Sequence, residues 1–370
     1  MKVVLLHDWL TGFRGGERVL EAFCELFPEA PIYTLIHKKG STSPIIESKE
    51  IITSFLNDIP GIHENYRKFL PLMPLAAEKI KIHHEADIIL SSSHCVIKGV
   101  KKPQGSKHIC YIHSPMRYIY DQFDNYFAHT SLITRTAAHM VRPYLTLWDR
   151  DSNNNVDQFL ANSSFVADRI NLFYNREAHI VNPFVDLKDF VSFQRNPPEK
   201  ENFFVMVSAF APNKRIDLAI QAFNQLGTNY KLKIIGSGSK EEALKLKKMA
   251  GPNIDFLGNL SREEIVQAFF RARAFIFPGI EDFGITPLES LAAGTPVIAL
   301  KKAGVLDTLT EKTAHFFHEQ TDSSLKEAIL EFEGRTFQKE DLYKRAQEFS
   351  KEIFSKKILH SISLSQSLKF

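Results

Sequence analysis

Residues 275–300 constrain the fold of this 370-residue chain more than any other stretch. Phe275-Ile276-Phe277 is a short apolar run that reads as a buried strand. Pro278 and Gly279 stop it, and Glu281-Asp282-Phe283-Gly284 predicts a tight loop carrying two carboxylates. Thr286-Pro287-Leu288-Glu289 has the pattern of a helix start, with threonine at the N-cap, proline in the first turn and glutamate three residues after the cap. Gly294 suits a left-handed C-cap, and 296–300 reads as the next buried strand. The unit is strand, acidic loop, short helix, strand, which belongs in an α/β sheet.

Two chemistries are open to such a loop. A helix N-terminus offers unpaired N–H groups and partial positive charge, which suit a phosphate. Carboxylates at Glu281 and Glu289 suit the hydroxyls of a sugar or ribose. The plainer alternative makes Glu289 a capping-box residue bonded back to the N-cap amide, and Glu281 a solvated loop charge.

The chain is long enough for two domains of ordinary size. With 44% hydrophobic and 24% charged residues it is expected to be a globular protein, and a net charge of +3 is too mild to indicate nucleic acid. Cys24, Cys95 and Cys110 have no metal-type spacing and suit a reducing cytoplasm. His7 and Asp8 interrupt the first apolar run, which argues against a signal peptide, and no run approaches the ~20 apolar residues of a membrane span.

In chain order, 2–6 reads as a strand, the loop containing Gly15 and Gly16 follows, and Val19, Leu20, Phe23 and Leu26 recur at helical spacing. Strand, glycine loop and helix open a Rossmann-like unit. Strands are expected at 31–36, 86–90, 108–112 and 159–161, with short helices across 55–80. The lysines 98, 101, 102 and 107 read as a solvated run. The strand at 108–112 delivers His113 at its C-terminal end, the edge where ligands of open α/β sheets bind. Residues 128–150 predict a basic amphipathic helix pair broken near Pro143, suited either to an ordinary core or to an anionic lipid surface. A second α/β unit opens at 203–208, with Lys214 in its first loop. Ser261-Arg262-Glu263-Glu264 is a capping box and needs no further explanation. No H-E-x-x-H or C-x-x-C pattern occurs, so a metal site is not indicated.

Several segments share a resemblance. E-D-F-G-I-T-P-L-E-S-L-A-A-G-T-P-V resembles the E-x7-E segment of the retaining GT-B glycosyltransferases of family 4. Y-I-H-S-P-M-R-Y at 111–118, the G-G-E-R loop at 15–18, which resembles the family's G-G-x-E-R, and S-A-F-A-P-N-K-R-I-D at 208–217 are similar to other segments of the same family. The resemblance implies the GT-B fold: two Rossmann-like domains facing across a cleft, with a C-terminal helix returning to the first. The expected boundaries are 1–186 with 351–370 for an acceptor domain, 187–202 for a linker, and 203–350 for a nucleotide-sugar-binding domain.

By the same resemblance His113, Glu281 and Lys214 are the catalytic residues: His113 positions the transferred sugar, Glu281 bonds its hydroxyls, and Lys214 neutralises the leaving diphosphate. Gly15, Gly16, Phe283, Gly284, Ile285, Thr286 and Glu289 would bind the donor. Glu289 would take the ribose, and Thr286 with nearby N–H groups the diphosphate. Gly258, Asn259 and Leu260 would border the nucleobase. No cofactor or metal is expected.

The similar bacterial mannosyltransferases of surface-polysaccharide synthesis suggest GDP-mannose as donor and a glycan or lipid-linked oligosaccharide as acceptor. They suggest a cytoplasmic protein in peripheral contact with the membrane. Ala209 departs from the family, which commonly has an arginine there that helps hold the diphosphate. That leaves as one alternative a nucleotide-sugar-binding protein without transferase activity; a second is a nucleotide-sugar epimerase, which can also use a GT-B fold. Ala303-Gly304 also departs from the family pattern, and the sequence suggests no role for it.

Overall fold

The computed structural model describes residues 1–127 and 130–367. They form two compact units, one of residues 1–182 with the segment from Phe354 onward, the other Pro183–Ile353.

The first unit is built on seven strands: β1 (Val3–Leu10), β2 (Ile32–His37), β3 (Ile51–Thr53), β4 (Ile88–Ser93), β5 (Lys107–Ile112), β6 (Gln158–Ala161) and β7 (Ala178–Ile180). They lie in the order β3-β2-β1-β4-β5-β6-β7, every neighbouring pair parallel. Val4, Leu5, Leu6, Ile88, Ile89 and Leu90 are all fully buried, as expected of parallel strands covered on both faces. The chain reverses direction across the sheet between β1 and β4, and His7 there sits in register with Ser92. Such a switch point opens a crevice at the carboxyl ends of the strands. The helix Lys351–Ser367 contributes Phe354 to this unit, where its ring lies 6.0 Å from both Phe23 and Tyr111.

Two expectations for this unit are corrected. The segment 132–151 is one helix, Leu132–Asp151, and Pro143 does not break it; of the span read as a helix pair, residues 128 and 129 lie outside the described residues. Pro143 is on the exposed side, where water can satisfy the carbonyl that proline leaves unpaired. Lys98 is not part of a solvated run. Its side chain is buried, with Nζ 2.9 Å from Asp149 Oδ1 and donating to the Asp149 carbonyl at 2.7 Å. Tyr120 donates to the other carboxylate oxygen at 2.8 Å, so the charge of Asp149 is fully engaged. This buried cluster pins the C-terminal end of Leu132–Asp151 to the loop after β4.

The second unit has six parallel strands, β8 (Phe204–Val207), β9 (Leu232–Ile235), β10 (Ile254–Gly258), β11 (Phe275–Phe277), β12 (Val297–Leu300) and β13 (Ala314–Phe317), in the order β10-β9-β8-β11-β12-β13. The 275–300 stretch forms the expected strand, helix and strand, with Phe275 paired to Val297 on one side and Val205 on the other. Within 187–202, read as a linker, Lys188–Arg195 is helical and packs Phe190 into the core of this unit.

Candidate functional site

In the second unit, β8 and β11 are neighbours, so the loops at their carboxyl ends meet. The loop after β8 makes a turn of 3-10 helix, Pro212–Lys214, and Arg215 takes a left-handed conformation before the helix Ile216–Leu226. The loop after β11 passes so close that a Cβ on Gly279 would stand 2.7 Å from the Asn213 carbonyl oxygen, which is why glycine is needed there. The result is that Lys214 and Glu281 form an ion pair, and Asn213 Nδ2 donates to Glu281 Oε1 at 3.1 Å. Gly304 closes the same loop from the far side. Its N–H donates to the Glu281 carbonyl at 3.0 Å, and a Cβ would collide with the backbone of Asp282 and Phe283. The sequence suggested no role for Gly304; close backbone approach supplies one.

The helix after the acidic loop is Ile285–Ala292, and its N-cap is Gly284 at φ +87°, which has no side chain to cap with. The capping-box pattern Thr286 to Glu289 therefore does not operate. Thr286 lies inside the helix, and Glu289 is its fifth residue rather than its third. The early N–H groups receive no side-chain cap from Gly284, and Phe283, just before it, is buried.

Glu289 is instead held by Arg262, whose Nη1 donates to Oε1 at 2.6 Å while its Nε donates to Asp189 Oδ2 at 2.7 Å. The two carboxylates raise the pKa of the guanidinium against the opposing effect of its burial. Sequence reasoning left Arg262 within a capping box. That box does exist, with Ser261 and Glu264 capping Arg262–Arg271, but Arg262 does more. One signal could have exposed it: a cation in the first turn of a helix opposes the helix dipole, so it needs carboxylates from elsewhere. Gly258, Asn259 and Leu260 lead from β10 directly into this arginine, and Gly258 takes φ +72°. Ala209 is exposed at the end of β8. Arg215 does not replace the missing arginine, because its guanidinium is bound to Asp217 through Nε and Nη2.

The first unit holds the remaining candidates. Gly15 and Gly16 begin the helix Gly15–Leu26, and a Cβ on Gly16 would lie 3.5 Å from His7 Cε1 and 3.7 Å from His113 Nε2. His113 Nε2 is 2.7 Å from Ser92 Oγ, and the same hydroxyl is 3.1 Å from His7 Nδ1. Desolvation pushes His113 well below the usual histidine range, and the nearby His94 and His7 add to that. Asp8, fully buried beside them, accepts four backbone N–H bonds from residues 94 to 97 at 2.6–2.9 Å. That carboxylate fixes the loop carrying His94. Its sequence signal was an aspartate closing an apolar strand, which earlier served only to argue against a signal peptide. Gly16 and His113 thus come together in one unit, next to Gly15; in the other, Lys214 and Glu281 are paired, Gly284 and Thr286 stand at the start of the following helix, and Glu289 further along it is held by Arg262.

A family model described as glycosyl transferases group 1 matches residues 188–349. The O-antigen chain mannosyltransferase RfbU of Salmonella typhimurium is 31% identical over 138 residues, which is 36% of this chain and 35% of that protein. A GDP-mannose-dependent monoacylated alpha-(1-6)-phosphatidylinositol monomannoside mannosyltransferase of Corynebacterium glutamicum is 30% identical over 136 residues, 34% of this chain and 36% of that one. The chain therefore matches only about a third of the length of these curated relatives. Among solved structures, sucrose-phosphate synthase from Thermosynechococcus elongatus superposes with a TM-score of 0.72 at 18% identity, covering 100% of this chain and 99% of that one. The α/β architecture of two parallel sheets is thus that of the GT-B fold.

Proposed function

We propose, from the match of residues 188–349 to a family model described as glycosyl transferases group 1, that the protein is a retaining glycosyltransferase that moves mannose from GDP-mannose to a hydroxyl of a glycan or lipid-linked acceptor in surface-polysaccharide synthesis. One observation carries this: Lys214, Glu281 and the uncapped start of Ile285–Ala292 lie together at the carboxyl edge of one parallel sheet. A cation and free N–H groups suit a diphosphate, and a carboxylate beside them suits sugar hydroxyls. In the transfer, the acceptor hydroxyl approaches C1 from the side of the leaving group. Lys214 and the helix N–H groups stabilise charge as it develops on the departing diphosphate, the task a metal ion performs in other transferases, so no metal is required. Glu281 holds the sugar, Glu289 the ribose, and His113 takes part from the first unit. The names of the two mannosyltransferase relatives, one of them GDP-mannose-dependent, support the choice of donor.

Ala209 favours a second reading, binding without transfer, because the diphosphate loses a bidentate arginine. Calorimetry against GDP, UDP and ADP, followed by turnover of the corresponding mannose and glucose donors in the presence and absence of EDTA, tests the proposal. GDP binding with EDTA-insensitive mannose release to an acceptor is expected. Nucleotide binding with no turnover would favour the second reading.

A further inference from the structure

Beyond the residues proposed to touch the donor, the first unit contains a line of polar side chains that ends on one of them. Glu17 lies in the first turn of Gly15–Leu26, its Oε2 accepting from the Arg14 amide at 2.9 Å. Its other oxygen is 3.9 Å from His7 Nε2, a fully buried nitrogen with no hydrogen-bond partner. His7 Nδ1 is 3.1 Å from Ser92 Oγ, and Ser92 Oγ is 2.7 Å from His113 Nε2. Four side chains from β1, β4, the helix after β1 and the end of β5 therefore form one line.

A line of this kind has a direction. A lone pair on His7 Nε2 would face the Glu17 carboxylate, so the proton of the neutral imidazole belongs on Nε2 and Nδ1 is left as an acceptor. The Ser92 hydroxyl must then donate to His7 Nδ1, which leaves its oxygen to accept. His113 Nε2 must supply that proton, and the remaining lone pair of His113 falls on Nδ1. The start of Gly15–Leu26, adjacent to both imidazoles, works in the same sense, because the positive end of a helix dipole disfavours an imidazolium. Also around the pair are His94, 6.0 Å from His7 and 6.3 Å from His113 between ring centroids, Tyr111, 5.1 Å from His113, the Asp8 carboxylate, 3.3 Å from His94 Nδ1, and the cation of Arg117, which opposes an imidazolium at His113.

We propose that Glu17, His7 and Ser92 are positioning residues that fix His113 as the Nε2–H tautomer, so that Nδ1 accepts a hydrogen bond from a hydroxyl of the transferred hexose. The hexose part of this rests on the transferase reading above; the tautomer does not. His113 presents an acceptor, selects a ligand hydroxyl that can donate, and keeps one orientation without a proton search on each turnover.

The test is a two-bond nitrogen–proton correlation spectrum of the full-length protein labelled with 15N-histidine at neutral pH, with His113 and His7 assigned from His113→Asn and His7→Asn. The inference predicts a protonated Nε2 and a bare Nδ1 for both rings. In Ser92→Ala, accepted for measurement only if its melting curve remains cooperative, the His113 signals should move toward the average of the two tautomers. A proton on His113 Nδ1, the pattern that a His7 imidazolium would impose through Ser92, overturns the inference, as does a His113 spectrum unchanged in Ser92→Ala. Because the spectrum needs no donor, a protein that transfers no sugar still answers the question, and the two claims can fail separately. With a working donor assay, Ser92→Ala should lower turnover by about tenfold while leaving nucleoside diphosphate affinity at the parent value. A change confined to nucleotide affinity would contradict the assignment.

Discussion

The guanidinium of Arg262 bonds the carboxylate of Glu289 at 2.6 Å, joining the turn after β10 to the helix after β11 within one unit. The bond removes the plainer explanation of Glu289. That carboxylate caps no helix, and it is held in place with one oxygen engaged, while a carboxylate can accept several bonds. Glu289→Gln should therefore leave the start of Ile285–Ala292 intact and weaken nucleoside diphosphate binding. A lost charge-assisted bond is worth on the order of 1.5–3 kcal/mol, about tenfold or more in affinity. Calorimetry with GDP measures it. Arg262→Lys should fall in the same direction, because an ammonium cannot reproduce the fork that reaches Asp189 and Glu289 together.

Glu281 should behave differently. It is paired with Lys214 when no donor is bound, and a diphosphate competes for that lysine. Glu281→Gln releases Lys214, so nucleoside diphosphate affinity should hold or rise modestly while sugar transfer drops. Lys214→Met should lower both. Parallel binding and turnover measurements on the two variants separate the roles, and equal losses of binding in both would show that the pair acts only as a structural unit.

Acid should act on the first unit through Glu17. Burial alone would raise its pKa, but the interaction with His7, the backbone N–H at its own helix start and the neighbouring His94 prevail and hold it at about 2. The usual value is 4.5, so the native state keeps Glu17 ionised where the unfolded chain would bind a proton. The unfolded state binds more protons in that window, so the contribution is complete above pH 4.5 and is lost as pH falls toward about 2. Each unit of difference is worth about 1.4 kcal/mol. Glu17→Gln should be less stable than the parent at pH 7, with the gap narrowing through the acid window. Thermal melts from pH 3 to pH 7 check this.

The helix Leu132–Asp151 should bind bilayers. Leu132, Ile133, Met140 and Leu147 are 79%, 83%, 72% and 64% exposed, far more apolar surface than one helix ordinarily shows to water. One of its arginines is less available than the sequence suggested, because Arg142 donates to the carbonyls of Ile119 and Tyr120. Among the described residues no helix is long and apolar enough to cross a membrane. Flotation with vesicles containing anionic lipid should recover the protein, and salt should weaken the binding only in part, since screening over about 10 Å at ~0.1 M acts on the charges and not on the apolar face. Leu132→Ser with Ile133→Ser should abolish flotation. Flotation unchanged in that double variant would exclude this helix.

The fold was legible because parallel strands buried on both faces leave continuous apolar runs, as at 3–6, 88–90 and 297–300, each ended by a loop with its own chemistry. The placements of His113, Lys214 and Glu281 at loops on carboxyl edges followed from the same pattern. What stayed hidden depends on contacts between segments distant in sequence. Arg262 reaches Glu289 across 27 positions and Asp189 across 73, and local spacing describes it only as part of a cap. Lys98 sits among other lysines and gives no sign of Asp149, 51 positions away. Ser92 falls just past the strand expected at 86–90, and its partners arrive from β1 and the end of β5. The helix start was misread by two residues because the N-cap is Gly284, which lacks the side chain that marks most N-caps.

The most direct measurement of the central claim follows the sugar itself. GDP-mannose labelled in the hexose is incubated with the protein and a crude lipid and oligosaccharide acceptor fraction, and the products are identified by mass spectrometry and by the anomeric coupling of the new linkage. The account predicts label in a glycan or lipid product, linked with the same anomeric configuration as in the donor, and lost in Lys214→Met and Glu281→Gln. Label recovered only in the nucleotide sugar, isomerised or intact, across GDP-, UDP- and ADP-linked donors would contradict it.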